Sequence, residues 1–297
     1  MEPVGQVAKR AAQLILGTTE VENTLACSPR KVLEMIPDLT EAEVRLYAVE
    51  IDRLEELWAL CPSCRRIEGC PGGGWRPVAS RAKFGYISFA LERCERGRAH
   101  DHRLKVESLL EASRMTRRFR ERTFDNFERR PGTAAALGAA RKFAEEFPGV
   151  AEGLVFVGPA GSGKTHLAAA IANRLIDRGI PVVFCSVPDM LADLRLAVRQ
   201  EREPDAMHEL RDAELLVLDD LGAERVTDWV REQLYRLVNY RYEQMLPVVA
   251  TSNLTPEELE DRLGDRTVSR LVEMCRWVLV DSQDYRRRKI AQGARGR

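Results

Sequence analysis

Five short apolar runs punctuate the second half of the chain, at 154–157, 182–187, 215–218, 248–252 and 277–280. Runs of four to six residues that are wholly or mostly apolar, without the alternation of a half-exposed strand, belong to strands covered on both faces, as in a parallel sheet. Between them the period lengthens to that of a helix. "LAAAIANRLIDRG" ends on a glycine suited to a C-terminal cap, and "WVREQLYRLVNYRYEQM" gathers Val230, Leu234, Leu237 and Val238 on one face. "TPEELEDRL" opens with a capping Thr255, a first-turn Pro256 and Glu258 to complete a capping box. Strand and helix alternating in this way predict a doubly wound α/β domain.

The first hundred residues follow another pattern. Thr40 and Glu43 form a capping box, after which Val44, Tyr47, Ala48, Ile51, Leu54 and Trp58 recur at threes and fours until Cys61-Pro62 stops the helix. A cysteine- and glycine-rich stretch runs to about residue 98, then a charged segment leads to a new domain near Phe119. The expected division is a small helical domain at 1–105, a linker helix at 106–122 and the α/β domain at 123–297.

Composition narrows the setting. Lys plus Arg and Asp plus Glu both total 46, so any contact with nucleic acid must come from a local patch. No run approaches the ~20 apolar residues of a membrane span, and the first ten residues lack the apolar core of a signal peptide, so no membrane partner and a cytoplasmic location are expected. Seven cysteines in such a chain are read as thiols or metal ligands, not disulfides.

The candidate chemistry begins where the run at 154–157 ends, at "GPAGSGKT". A strand turning sharply into a helix aims free amides and the positive end of the helix dipole at one point, which suits a polyphosphate. Gly158, Pro159, Ala160, Gly161, Ser162, Gly163, Lys164, Thr165 and His166 make up this cradle. Lys164 offers a point charge to the β and γ oxygens of ATP, and the Thr165 hydroxyl a ligand to Mg²⁺. "ELLVLDDLGAE" delivers Asp219 and Asp220 to another strand end, the first for the Mg²⁺ shell and the second to orient the attacking water. In "VVATSNL", Asn253 is either a γ-phosphate sensor or only the start of a turn. Arg270, and after it Arg266, are candidates to complete a neighbouring copy's site, and Arg286 to reach the γ-phosphate of its own chain.

Cys61, Cys64, Cys70 and Cys94 offer four thiolates around a Gly72-Gly73-Gly74 loop, a pattern suited to structural Zn²⁺ in a domain with little core. His100 or His102 can replace Cys70 in that set. Cys27, Cys185 and Cys275 stand alone and are assigned no chemistry.

"CPSCRRIEGC" with Cys94, the entry "RRFRERTFDNFE", and "GPAGSGKTHLAAAIANRL", "LLVLDDLGAE", "ATSNL" and "GDRTVSRL...DYRRR" in that order resemble the AAA+ helicase loaders of bacterial replication, the DnaC/DnaI type with an N-terminal zinc domain. The resemblance spans most of the chain, although its ATPase motifs are shared with IstB-like transposition helper ATPases. It departs in one place. Relatives carry a histidine near the "GWRPVA" position, where this chain has Val78 and no histidine between Cys64 and Cys94, so four cysteines are the simplest ligand set. The resemblance implies an AAA+ domain that hydrolyses ATP, associates with copies of itself and contacts single-stranded DNA, and an N-terminal domain that grips the hexameric replicative helicase, with other initiation proteins as further candidate partners. An aspartate as second acid stands one methylene short of a glutamate's reach, so slow, switch-like hydrolysis is expected. A transposition helper, a P-loop small-molecule kinase and a non-catalytic nucleotide-bound adaptor are the alternatives.

Overall fold

The computed structural model describes residues 28–61, 70 and 72–282. The chain divides between Leu104 and Lys105 into two units.

In the first unit, α1 (Arg30–Met35), α2 (Glu41–Leu46) and α3 (Ala48–Leu60) pack with a hairpin of β1 (Trp75–Arg81) and β2 (Ile87–Arg93). Val32, Ile36, Ile51, Leu54, Ala79 and Ile87 are its buried centre. The Thr40–Glu43 capping box starts α2 as expected. Glu55 is buried because its Oε1 accepts the amides of Lys31 and Val32 at 2.5 and 2.9 Å, satisfying free donors at the start of α1. The indole Nε1 of Trp58 donates to the Pro77 carbonyl at 2.8 Å, which ties α3 to the hairpin. The unit is therefore not purely helical. The hairpin is legible only afterwards, since Pro77 interrupts the donor pattern of β1 and is tolerated there because the ribbon has a single partner strand.

Residues 106–122, expected as one linker helix, are instead the end of α4 (Glu95–Ala112), a break and the short α5 (Arg117–Arg120). Arg114 sits at φ 60°, a left-handed conformation that no helix interior accepts. Glu209 holds it there, accepting from Arg114 Nε at 3.1 Å and Nη2 at 2.5 Å. Beside it the Ser113 carbonyl accepts from the Phe184 amide at 2.9 Å.

The second unit continues with α6 (Ala134–Glu146), β3 (Gly153–Val157), α7 (Lys164–Asp177), β4 (Val182–Ser186), α8 (Val187–Arg199), α9 (Glu203–Asp212), β5 (Leu215–Asp219), α10 (Asp228–Glu243), β6 (Val248–Ser252), α11 (Pro256–Leu263), α12 (Asp265–Met274) and β7 (Cys275–Leu279). All five strands are parallel, in the order β4-β5-β6-β3-β7. Alternate residues serve opposite cores. Leu154, Phe156, Leu215, Val217 and Val249 pack with α6 and α7, while Val155, Leu216, Leu218, Val248 and Ala250 pack with α8 to α12. This is the doubly wound α/β architecture that the short apolar runs predict.

Burial decides the fate of two isolated cysteines. Cys185 and Cys275 are buried, and their thiols are pushed up to about 12, leaving no thiolate for chemistry.

Candidate nucleotide site

Strand order brings the expected residues together. Because β6 lies between β3 and β5, the loop after β3, the acid pair after β5 and the polar end of β6 meet at one sheet edge. They line a cleft of about 720 Å³ that includes Ala160 to His166, Asp219, Asp220 and Asn253.

The loop wraps tightly because glycine stands where nothing else fits. Gly158 has φ 148°, and a Cβ there would lie 2.4 Å from the Val280 carbonyl oxygen. Gly163, at φ 111°, precedes α7 and turns the chain into it. Lys164 is 4% exposed, and its Nζ donates to the Gly158 and Pro159 carbonyls at 2.8 Å each. Ser162 Oγ is buried and makes no hydrogen bond to protein. An orphaned hydroxyl, a buried ammonium and a helix N-terminus at one turn fit the polyphosphate of ATP.

Across the cleft Asp219 is 3% exposed. Burial raises its carboxyl above the usual carboxylate range and the Asp220 charge adds to this, while hydrogen bonds from Thr251 and Thr165 and the charge of Lys164 oppose it. Thr165 and Asp219, the two residues expected to hold Mg²⁺, thus line one cleft, and the divalent cation would supply the positive charge that keeps Asp219 ionised.

Thr251 was not foreseen from sequence. Its Oγ1 donates to Asp219 Oδ1 at 2.6 Å and accepts the Asp220 amide at 2.9 Å. That second bond holds Asp220 at φ 57°, a left-handed conformation that costs roughly 1–3 kcal/mol in a non-glycine residue. Leu221 N to Thr251 O, at 2.8 Å, and Ser252 Oγ to Leu221 O, at 2.7 Å, pin the rest of the turn to β6. The only sequence signal was a threonine two residues before Asn253. Thr251→Val, nearly isosteric, is expected to slow phosphate release about tenfold, the equivalent of ~1.4 kcal/mol, while Thr251→Ser retains activity. Equal rates for both variants in a phosphate-release assay would remove Thr251 from the site.

The opposite wall was also unforeseen. Arg118, Phe119, Arg122, Asn126, Phe127, Glu128 and Arg130 line it, contributed by the segment that precedes α6. Two side chains of α7 hold that segment. Asn173 Nδ2 donates to the carbonyls of Phe119 and Arg122 at 2.9 and 2.6 Å, and His166 Nε2 lies 2.9 Å from the Thr123 carbonyl. The His166 ring meets Phe127 edge-on, and burial lowers its pKa, so the neutral imidazole is its form at pH 7. His166 therefore lines the cleft beside the cradle and also straps the helix to the wall.

Arg266 and Arg270 are not in this cleft: both lie on α12, with Arg266 exposed and Arg270 half-buried against α10. Arg286 lies outside the described residues, as does Cys64. Cys70 and Cys94 are tied through the turn between them, Gly73 N to Cys70 O and Cys94 N to Gly74 O, each at 3.0 Å. His100 is near Arg103 on α4, its Nδ1 3.1 Å from the guanidinium, and His102 is exposed. Among the described residues no group of three or more His, Cys, Asp or Glu is placed to hold a metal, and no helix is long and apolar enough to cross a membrane.

Comparison with known proteins places these features in a family. The model of the IstB-like ATP binding proteins matches residues 78–293. The uncharacterized protein YdaV of Escherichia coli (strain K12) is 30% identical over 210 residues, 70% of this chain and 85% of YdaV. The replicative helicase loader DnaI of Bacillus subtilis (strain 168) is 26% identical over 279 residues, 88% of this chain and 87% of DnaI. Among solved structures, that of the DnaC helicase loader superposes with a TM-score of 0.52 at 30% identity, covering 56% of this chain and all of that one.

Proposed function

This chain belongs to the IstB-like ATP binding protein family and is an AAA+ ATPase, and from that premise we propose that it is a replicative helicase loader. In this reading the first unit binds the hexameric helicase, and the second uses ATP as a timed grip on single-stranded DNA and on further copies of itself. The observation that carries it is the reach of the similarity to DnaI, which runs through both units and does not stop at the ATPase motifs.

The chemistry of the grip is assigned to the cleft. Lys164 and the amides of the loop bind the phosphates, Thr165 and Asp219 hold Mg²⁺, Asp220 orients the attacking water, and Asn253 monitors the γ-phosphate. Arg270 completes the site of a neighbouring copy, and Arg286 touches the γ-phosphate within its own chain. The short reach of Asp220 favours slow turnover, which suits a switch. We also assign a zinc module to Cys61, Cys64, Cys70 and Cys94. The shared turn that ties Cys70 to Cys94 supports it.

Arg195, Arg199 and Arg202, on and just after α8, and the arginines of the tail "RRRKIAQGARGR", which lies outside the described residues, are the candidates for the DNA backbone. Arg195 lies over the Trp229 ring, its guanidinium carbon 4.9 Å from the centroid, and Arg199 is exposed. The test uses the full chain with the replicative helicase of the same organism, in ATP and in ADP, followed by size-exclusion chromatography and fluorescence anisotropy with a single-stranded oligonucleotide. Co-elution with the hexamer is expected. DNA affinity should fall with salt at a log–log slope of roughly −0.7 per phosphate neutralised. A chain that ignores the hexamer and prefers duplex DNA would instead be a transposition helper.

A further inference from the structure

Arg270 is held in an unusual way. Its Nε donates to Asn239 Oδ1 at 2.5 Å, its Nη1 to the Arg266 carbonyl at 3.0 Å and its Nη2 to the Tyr235 hydroxyl at 3.3 Å. The guanidinium carbon lies 5.0 Å from the Tyr235 ring centroid and 5.7 Å from that of Tyr242. Those partners are held in turn, since Asn239 Nδ2 donates to Glu243 Oε1 at 2.9 Å and the Tyr242 hydroxyl to Glu273 Oε1 at 2.8 Å. The first bond fixes the amide so that its carbonyl oxygen faces Arg270.

Every group that grips the guanidinium is neutral. Among the described residues no carboxylate lies within ion-pair distance of Arg270, whereas Arg76, Arg81, Arg93, Arg114 and Arg236 each have one. Stacked rings and neutral acceptors restrain the planar group without cancelling its charge. A guanidinium has five N–H donors, and three are used here, so one remains on each terminal nitrogen. Two parallel donors on an uncompensated cation match a phosphate. Arg270 does not line the cleft of its own chain. Val272, on the same helix, leaves half of its apolar surface exposed, at 52%.

We propose that Tyr235, Asn239 and Tyr242 are positioning residues that hold Arg270, charged and oriented, for the nucleotide bound by a second copy of this chain; this rests on the reading of Arg270 given above. Their role is to restrain a cation before the neighbour arrives, so that little ordering is left for the moment of reaction.

Asn239→Asp separates this from mere packing. The carboxylate keeps the acceptor in place and strengthens the bond to Nε, so a purely structural contact would survive or improve. A positioning role fails, because the charge needed by the neighbour is cancelled. Steady-state hydrolysis should show kcat reduced about tenfold or more with the KM for ATP within about twofold of wild type. Asn239→Ser, which keeps a neutral acceptor, should retain most of the rate. Mixing the Asn239→Asp chain with Lys164→Ala chains should restore hydrolysis above the sum of the two, since each intact cradle then meets an intact Arg270. Mixing it with Arg270→Ala chains should not. Glu243→Gln added to Asn239→Asp removes the new like-charge neighbour and should leave the loss unchanged, which guards against a folding artefact. Wild-type kcat in Asn239→Asp beside a crippled Arg270→Ala would overturn the positioning role alone. Wild-type kcat in Arg270→Ala would overturn the underlying reading of Arg270.

Discussion

Lys164→Ala is expected to lose ATP hydrolysis by about 10²- to 10³-fold, the size of effect seen when one fixed donor to a developing charge is removed. Lys164 is 4% exposed and its ammonium donates to the Gly158 and Pro159 carbonyls, so the charge sits within the turn that would wrap the phosphates. No other Lys or Arg lies in the loop between Gly158 and Thr165, and none follows until Arg174. Binding of a fluorescent ATP analogue should weaken in parallel. The helical circular dichroism should persist, because α7 is buried through Leu167, Ala168, Ile171, Leu175 and Ile176 and does not depend on the lysine. Wild-type affinity for the analogue would dismiss the cradle and the functional reading built on it.

Arg241→Ala should instead cost stability, by about 3–5 kcal/mol. The side chain has no exposed surface. Its Nη1 donates to the carbonyls of Leu210, Arg211 and Ala213 at 3.1, 2.8 and 3.0 Å, and its Nη2 to Pro247 O at 2.7 Å. One guanidinium therefore closes the end of α9, the approach to β5 and the approach to β6. Burial lowers its pKa to about 10, which still leaves it charged at pH 7. Truncation orphans four carbonyls beneath the sheet. Urea unfolding followed by tryptophan fluorescence should show a lower midpoint at an unchanged slope. Arg241→Lys should recover only part of the loss, since a point-like ammonium cannot reach acceptors spread over such a fork. A loss below ~1 kcal/mol would mean that water replaces the guanidinium at little cost.

The parts of this fold that were legible in sequence are those fixed by near neighbours. The inner strands showed as apolar runs because both faces are covered, the edge strand β7 showed despite an exposed Arg276 and Leu279, and the boxes at Thr40 and Thr255 showed because a cap and its partner are three residues apart. Asp219 and Lys164 were legible for a similar reason, each sitting at the end of a recognisable run. What escaped depends on partners distant in the chain. Thr251 matters through Asp219, 32 residues earlier, and only the insertion of β6 beside β5 brings them together. The 118–130 wall matters through Asn173 and His166, some 43 to 54 residues later. The tyrosines around Arg270 read as an ordinary polar stripe on α10, because nothing local distinguishes a ring that carries a cation from one that only shields a core. The hairpin at β1 and β2 was missed because its glycine-rich approach and Pro77 argue locally for a loop.

The sheet order also bears on how the protein is made. During synthesis β3 and its phosphate loop leave the ribosome first, β4 and β5 with Asp219 follow, and β6 comes last of the three. Yet β3 pairs only with β6 and β7, and β5 reaches β3 only through β6. Until Ser252 has emerged, a nascent chain therefore holds a lone ribbon and a separate two-stranded fragment with no ladder between them. The cradle and the acid that faces it are therefore joined only once β6 has been made, although both strands that carry them precede it in the chain.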